Sequence, residues 1–269
     1  MLQRIDINSV QIQLLMGIAV VAAVFGSLYP DRFATWRNVE NMARQGGTLA
    51  VVAIGQSFAL ISGGFDISVA ATMGLASTLG AMAMIEYGVT AGVIAGLAAG
   101  LTVGLLNGTL IARFGVTPFI ATLGMLAIAR GVANEISDGR SVSGIPAGFD
   151  WFGGGNWGPI PATVGIAIVV CLAAGFFLYR TRPGLYLYAT GGSESAARLS
   201  GVNVIRSELS AYVLCSVLAS VGGLMLASRV SVGQASLGQG FELMSIATAV
   251  IGGVAIGGGV GRLSGVVLG

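Results

Sequence analysis

Asp66 stands in the run GGFDISV (Gly63–Val69), between two apolar stretches, with Gln56 before it and Ser68 after it. A carboxylate so placed can belong to a polar path through a membrane, where an ionisable group is costly and is by default functional. It can equally cap the next helix while the glycines turn the chain. A second polar group lies in GGSESAARLSG (Gly191–Gly201), where Glu194 and Arg198 are spaced i,i+4 beside Ala196, Ala197 and Leu199. That spacing predicts a short helix whose ion pair adds only tenths of a kcal/mol, with Ser193 as its N-cap. The stretch can equally be a loop that merely makes a helical hairpin soluble. In TPFIATLG (Thr117–Gly124), Pro118 is a helix-start residue and Thr117 its candidate cap. Phe119 and Thr122 are three apart, which can turn an aromatic face and a hydroxyl to a passing solute, although packing alone explains Phe119. Asn107, polar within an apolar run, reads equally well as a helix–helix hydrogen bond.

Other chemistry is excluded by residue type. The 13 basic residues are all arginines, and histidine is absent. That leaves no Ser-His or Cys-His nucleophile, no ordinary zinc site, no Schiff-base lysine and no phosphate-loop lysine. GGGVGR (Gly257–Arg262) lacks both the lysine and the strand that a phosphate loop needs. Cys171 and Cys215 each lie in an apolar run and read as small hydrophobes. No catalytic residue, metal or cofactor is expected, and a net charge of +2 gives no basis for nucleic acid.

The elements that must position these residues are membrane helices. Hydrophobic residues make up 55% of the 269, charged residues 9%, and the mean hydropathy is +0.88, whereas about a quarter of a soluble domain is charged. Crossing the hydrocarbon takes about 20 apolar residues. Runs near 11–29, 47–62, 67–86, 89–112, 117–136, 160–180, 208–228 and 242–257, with another beginning at 262–269, predict an all-α polytopic bundle of eight or nine spans in one domain, 1–269. The first run follows Arg4 and Asp6, and a membrane span is preferred there to a cleaved signal. Gly92, Gly96, Gly100, Gly104 and Gly108 line one face of the fourth run as a packing ridge. Gly253, Gly257, Gly261, Gly265 and Gly269 repeat that spacing, but Gly257–Gly259 predicts a break or re-entrant turn.

Arg180, Arg182, Arg198 and Arg206 place the loop 181–207 on the cytoplasmic side. Residues 137–158, with Trp151 and Trp157 as an interfacial belt, then face outward, and the N-terminus lies inside. Arg32, Arg37 and Arg44 fall on the outer side against that count, unless WRNVENMARQ lies as an amphipathic helix along the surface.

Three stretches, Gly55–Ser77, Gly115–Gly144 and Gly184–Val204, together with the glycine-rich end, resemble the membrane permeases of bacterial ABC importers of the ribose, xylose and galactose class. The resemblance extends over nearly the whole chain and implies a type II importer permease-like bundle. It implies that Gly192, Glu194, Ala197, Arg198 and Gly201 form a coupling helix that inserts into a separate ATPase subunit, and that Gln56, Asp66 and Ser68 belong to the core lining the translocation path. Implied partners are that ATPase, an extracytoplasmic solute-binding protein and a second permease chain, all within membrane lipid. Further membrane helices are expected beyond GRLSGVVLG.

The solute implied is a monosaccharide. A nucleoside, an autoinducer-like sugar or a branched-chain amino acid are alternatives within the same class. An ion-coupled secondary transporter would need a titratable intramembrane network, and Asp66 is nearly alone. A purely structural membrane protein is disfavoured by the coupling-type loop.

Overall fold

The computed structural model describes residues 7–269, so Arg4 and Asp6, with the signal-peptide question they raise, lie outside the described residues. Its helices are α1 (Ile7–Leu28), α2 (Pro30–Phe33), α3 (Trp36–Ile61), α4 (Val69–Tyr87), α5 (Val89–Ala112), α6 (Pro118–Ile136), α7 (Ala162–Arg180), α8 (Arg182–Gly192), α9 (Glu194–Leu199), α10 (Val204–Val230), α11 (Phe241–Ile251) and α12 (Leu263–Val266). Four two-residue strands pair as β1 (Val142–Ser143) with β4 (Val232–Gly233) and β2 (Asn156–Trp157) with β3 (Ile160–Pro161), both antiparallel.

Among the described residues, six helices are long and apolar enough to cross a membrane: α1 from Gln11 onward, α4, α5, α6, α7 and α10. WRNVENMARQ forms the opening turns of α3 and runs unbroken into the buried stretch from Gly47 to Ile61, which corrects the expectation of a separate surface helix. Thr35 caps α3 by accepting the Asn38 N–H. The eighth expected span is only the 11-residue α11, because Gly252 ends it and no helix resumes before Leu263. The break expected at Gly257–Gly259 is present, with Gly258 and Gly259 at positive φ.

The five glycines of α5 are all buried, and the ridge they form packs chiefly on α10. A Cβ at Gly104 would lie 2.6 Å from Val213 Cα, and one at Gly100 would lie 2.6 Å from the Ser216 carbonyl. Two backbones this close leave no room for side chains, so small residues make the seam. Around it, α3 and α4 carry a solid core from Val51 to Ile61 and from Val69 to Ala76. The outward faces of α1, α6 and α7 expose apolar side chains such as Ile18, Ile120 and Leu172.

Ahead of α11 the chain leaves β4 through a series of turns beside α4. Its polar backbone is satisfied by Ser77, whose hydroxyl accepts the Gln234 N–H at 3.2 Å and donates to the Gln234 carbonyl at 3.0 Å. Gly74 leaves space for the Ala235 backbone, and Gly238 rests on Met73. Irregular backbone within a membrane bundle needs this kind of protein partner.

Candidate functional site

Gln56 lies in α3, and Asp66 and Ser68 lie in the turn that leads into α4; all three are fully buried. The Asp66 carboxylate accepts the Ser68 N–H at 2.8 Å and the Ser68 hydroxyl at 2.6 Å on one oxygen. On the other it accepts Ser216 of α10 at 3.3 Å and Asn107 of α5 at 3.5 Å. The Gln56 amide, oriented with its oxygen toward the Asp66 N–H at 3.0 Å and its nitrogen toward the Asp66 carbonyl at 3.1 Å, holds the Asp66 backbone. Asn107 also donates to the Ser68 hydroxyl at 2.9 Å, a bond between helix and turn as its position in an apolar run suggests.

The carboxylate therefore closes the turn into α4 and joins it to α5 and α10, while Gln56 of α3 holds its backbone. Every donor to it is a neutral group. Tyr212 of α10, buried with its ring hydroxyl against Gly64, has no hydrogen-bond partner there, nor has the Asn107 side-chain oxygen. Buried polar atoms are rarely left so.

Thr122 and Phe119 sit at the start of α6 but do not share a surface. Thr122 is buried and donates to the Pro118 carbonyl at 2.8 Å, whereas Phe119 is about half exposed and tilts against Phe65 with ring centres 6.4 Å apart. Thr117 occupies the N-cap position without a side-chain cap bond, so the expected cap is corrected: Pro118 at the first helical position does the starting.

At one end of the bundle, α8 and α9 fill the loop between α7 and α10. Ser193 caps α9 by accepting the Ala196 N–H at 3.3 Å, and Glu194 accepts Arg198 Nη2 at 2.6 Å and Nε at 3.0 Å. Ala197 alone points inward; Gly192, Glu194, Arg198 and Gly201 are on the surface, and Leu199 is 91% exposed. Asn203, which sequence reading passed over, caps α10 by accepting the Arg206 N–H at 3.0 Å; the signal was an Asn just ahead of an apolar run.

The opposite end was not legible in sequence. Arg44 of α3 donates to the carbonyls of Gly154 at 2.8 Å and Gly155 at 3.0 Å and pairs with Glu40 at 2.8 Å. This fixes the segment 137–161 over the bundle and shows that Arg44 is a partnered group, not a free loop cation. Trp151 and Trp157 remain exposed at that end, with Trp157 Nε1 donating to the Trp151 carbonyl at 2.8 Å.

Residues 38–269 match the family model described as branched-chain amino acid transport system / permease component. The chain is 37% identical over 260 residues to the ribose import permease protein of Escherichia coli, covering 95% of this chain and 81% of the relative. It is 35% identical over 255 residues to the D-allose transport system permease protein of the same organism, covering 94% and 78%. With the L-arabinose transport system permease protein, also from Escherichia coli, it shares 37% over 261 residues, again covering 94% and 78%. No solved structure matches it. A helical bundle with six membrane-length apolar helices, matched along this much of its length, is a multi-pass inner-membrane protein: the chain belongs to the permease family of binding-protein-dependent ABC importers, as a translocation subunit and not an enzyme.

Proposed function

We propose that this permease moves a monosaccharide handed to it by an extracytoplasmic binding protein, with ATP hydrolysed in a separate subunit docked on α9. The observation that carries the solute class is the run of relatives named for ribose, D-allose and L-arabinose, each similar over nearly the whole chain. The docking assignment is supported by the exposure of Leu199, the Ser193 cap and the Glu194–Arg198 pair, with Gly192, Ala197 and Gly201 completing the knob. Residues 181–207 then form the cytoplasmic coupling loop of a single domain, 1–269.

Further spans belong to the same proposal. α3 crosses as well, and the non-helical stretch 232–240 with α11 makes a broken eighth crossing. Gln56, Asp66 and Ser68, with Phe119 and Thr122 nearby on α6, border the path; what supports this is the gathering of buried, partly unsatisfied polar atoms at one point. A second permease chain and lipid cover the exposed apolar faces of α1, α6 and α7.

The test is uptake of labelled D-ribose, D-allose and L-arabinose, with leucine alongside, into vesicles holding the permease with its ATPase and binding protein. Uptake of one of the sugars is expected. Leucine uptake without any sugar would replace the solute class. In the same vesicles Glu194→Arg with Arg198→Glu keeps the pair but reverses its direction. Loss of ATPase association and uptake is expected; retention of both contradicts docking on α9.

A further inference from the structure

The base of the α8–α9 insert meets the rest of the bundle backbone to backbone. A Cβ at Gly191 would strike the Ile61 carbonyl and come within 2.6 Å of the Gly259 nitrogen. One at Gly258 would lie 2.7 Å from the Gly191 carbonyl and 2.8 Å from Gly63 Cα. One at Gly259 would lie 2.6 Å from Gly192 Cα. Three hydrogen bonds hold the same place together: Gly259 N–H to the Ile61 carbonyl at 2.9 Å, the Tyr188 hydroxyl to the Gly261 carbonyl at 2.9 Å, and Leu263 N–H to the Tyr179 hydroxyl at 3.0 Å. A Cβ at Gly192 or Gly201, by contrast, would meet nothing within 4 Å.

Two elements leave this clasp. The end of α3 continues through Gly63 and Gly64 into the Asp66 turn, and residues 252–262 continue directly from α11. Side chains absorb small displacements by changing rotamer; packed backbones have no such freedom, so a shift on one side is passed to the other.

We infer that Tyr188, Gly191, Gly258 and Gly259 are positioning residues that convert movement of α9 into movement of α11 and the Asp66 turn. The inference rests on the docking reading of α9 and adds to it the route by which docking reaches the interior. It also separates the residues by role: those on the knob hold the ATPase, and those of the clasp transmit.

Ser245, buried on α11, supplies a readout that needs no knowledge of the solute. In the assembled complex of permease, ATPase and binding protein, with Cys171→Ala and Cys215→Ala as background, Ser245→Cys is labelled by a maleimide without nucleotide and after trapping with ATP and vanadate. The labelling rate is expected to differ between the two states by about tenfold, within the range that one coupling equilibrium spans. Tyr188→Phe and Gly191→Ala should keep the ATPase bound and shrink that difference by several-fold, while Gly131→Ala on α6, where a Cβ meets nothing within 4 Å, leaves it as in the parent. Where Gly191→Ala fails to accumulate, Tyr188→Phe decides, because it removes one hydroxyl and keeps the ring. No difference between the two states in the parent, or an undiminished difference in Tyr188→Phe, overturns the inference. Loss of ATPase binding belongs to the knob variants, so failure of the docking reading is seen separately.

Discussion

The two ends of this bundle are closed by different physics. At the Trp151 end, closure is directional: Arg44 reaches across to the Gly153–Gly155 carbonyls, Ser228 of α10 donates to the Phe149 carbonyl at 2.8 Å, and β1 pairs with β4. At the α9 end, glycine backbones in contact are joined by hydrogen bonds that involve no charged group, and the outermost helix carries an exposed leucine and an ion pair about half open to solvent. Charge-assisted hydrogen bonds have narrow geometry and hold one arrangement.

That contrast can be broken by single substitutions. The largest effect is expected from Arg44→Ala, which strips the Gly153–Gly155 carbonyls of their shared donor and leaves Glu40 without its cation. It should lower stability by about 2–3 kcal/mol, read as an earlier unfolding transition in detergent, with the 137–161 segment becoming open to protease. Ser228→Ala should cost about 1–2 kcal/mol, because the hydroxyl both donates to Phe149 and accepts the Gly154 N–H at 3.1 Å. Glu194→Ala on α9 should change stability by no more than about 0.5 kcal/mol and yet weaken ATPase binding. A stability loss from Glu194→Ala as large as that from Arg44→Ala would erase the distinction between the two ends.

Sequence made the local features plain. The α5 boundaries match the expected 89–112, and those of α4, α6 and α7 fall within two residues of expectation, because long apolar runs ended by glycine, proline or arginine leave little choice of helix. The glycine ridge, the Ser193 cap and the Glu194–Arg198 pair are also local, set by spacing within one helix. What stayed hidden depends on distant partners. Arg44 finds Gly154 across 110 positions, Ser77 finds Gln234 across 157, and Gly191 closes on residues from two other segments. The start of α3 differs for another reason: WRNVENMARQ, expected as an amphipathic surface helix, is helical but continuous with the buried part of α3, and Arg44 and Glu40 find partners in the 153–156 segment.

The central claim is that α9 meets the ATPase while the other end meets the binding protein. A photo-reactive amino acid placed at Leu199 or at Trp151, both exposed, tests it in the assembled importer. The account predicts an adduct with the ATPase from position 199 only and with the binding protein from position 151 only. An ATPase adduct from position 151, or none from position 199 in a complex that still transports, would contradict it.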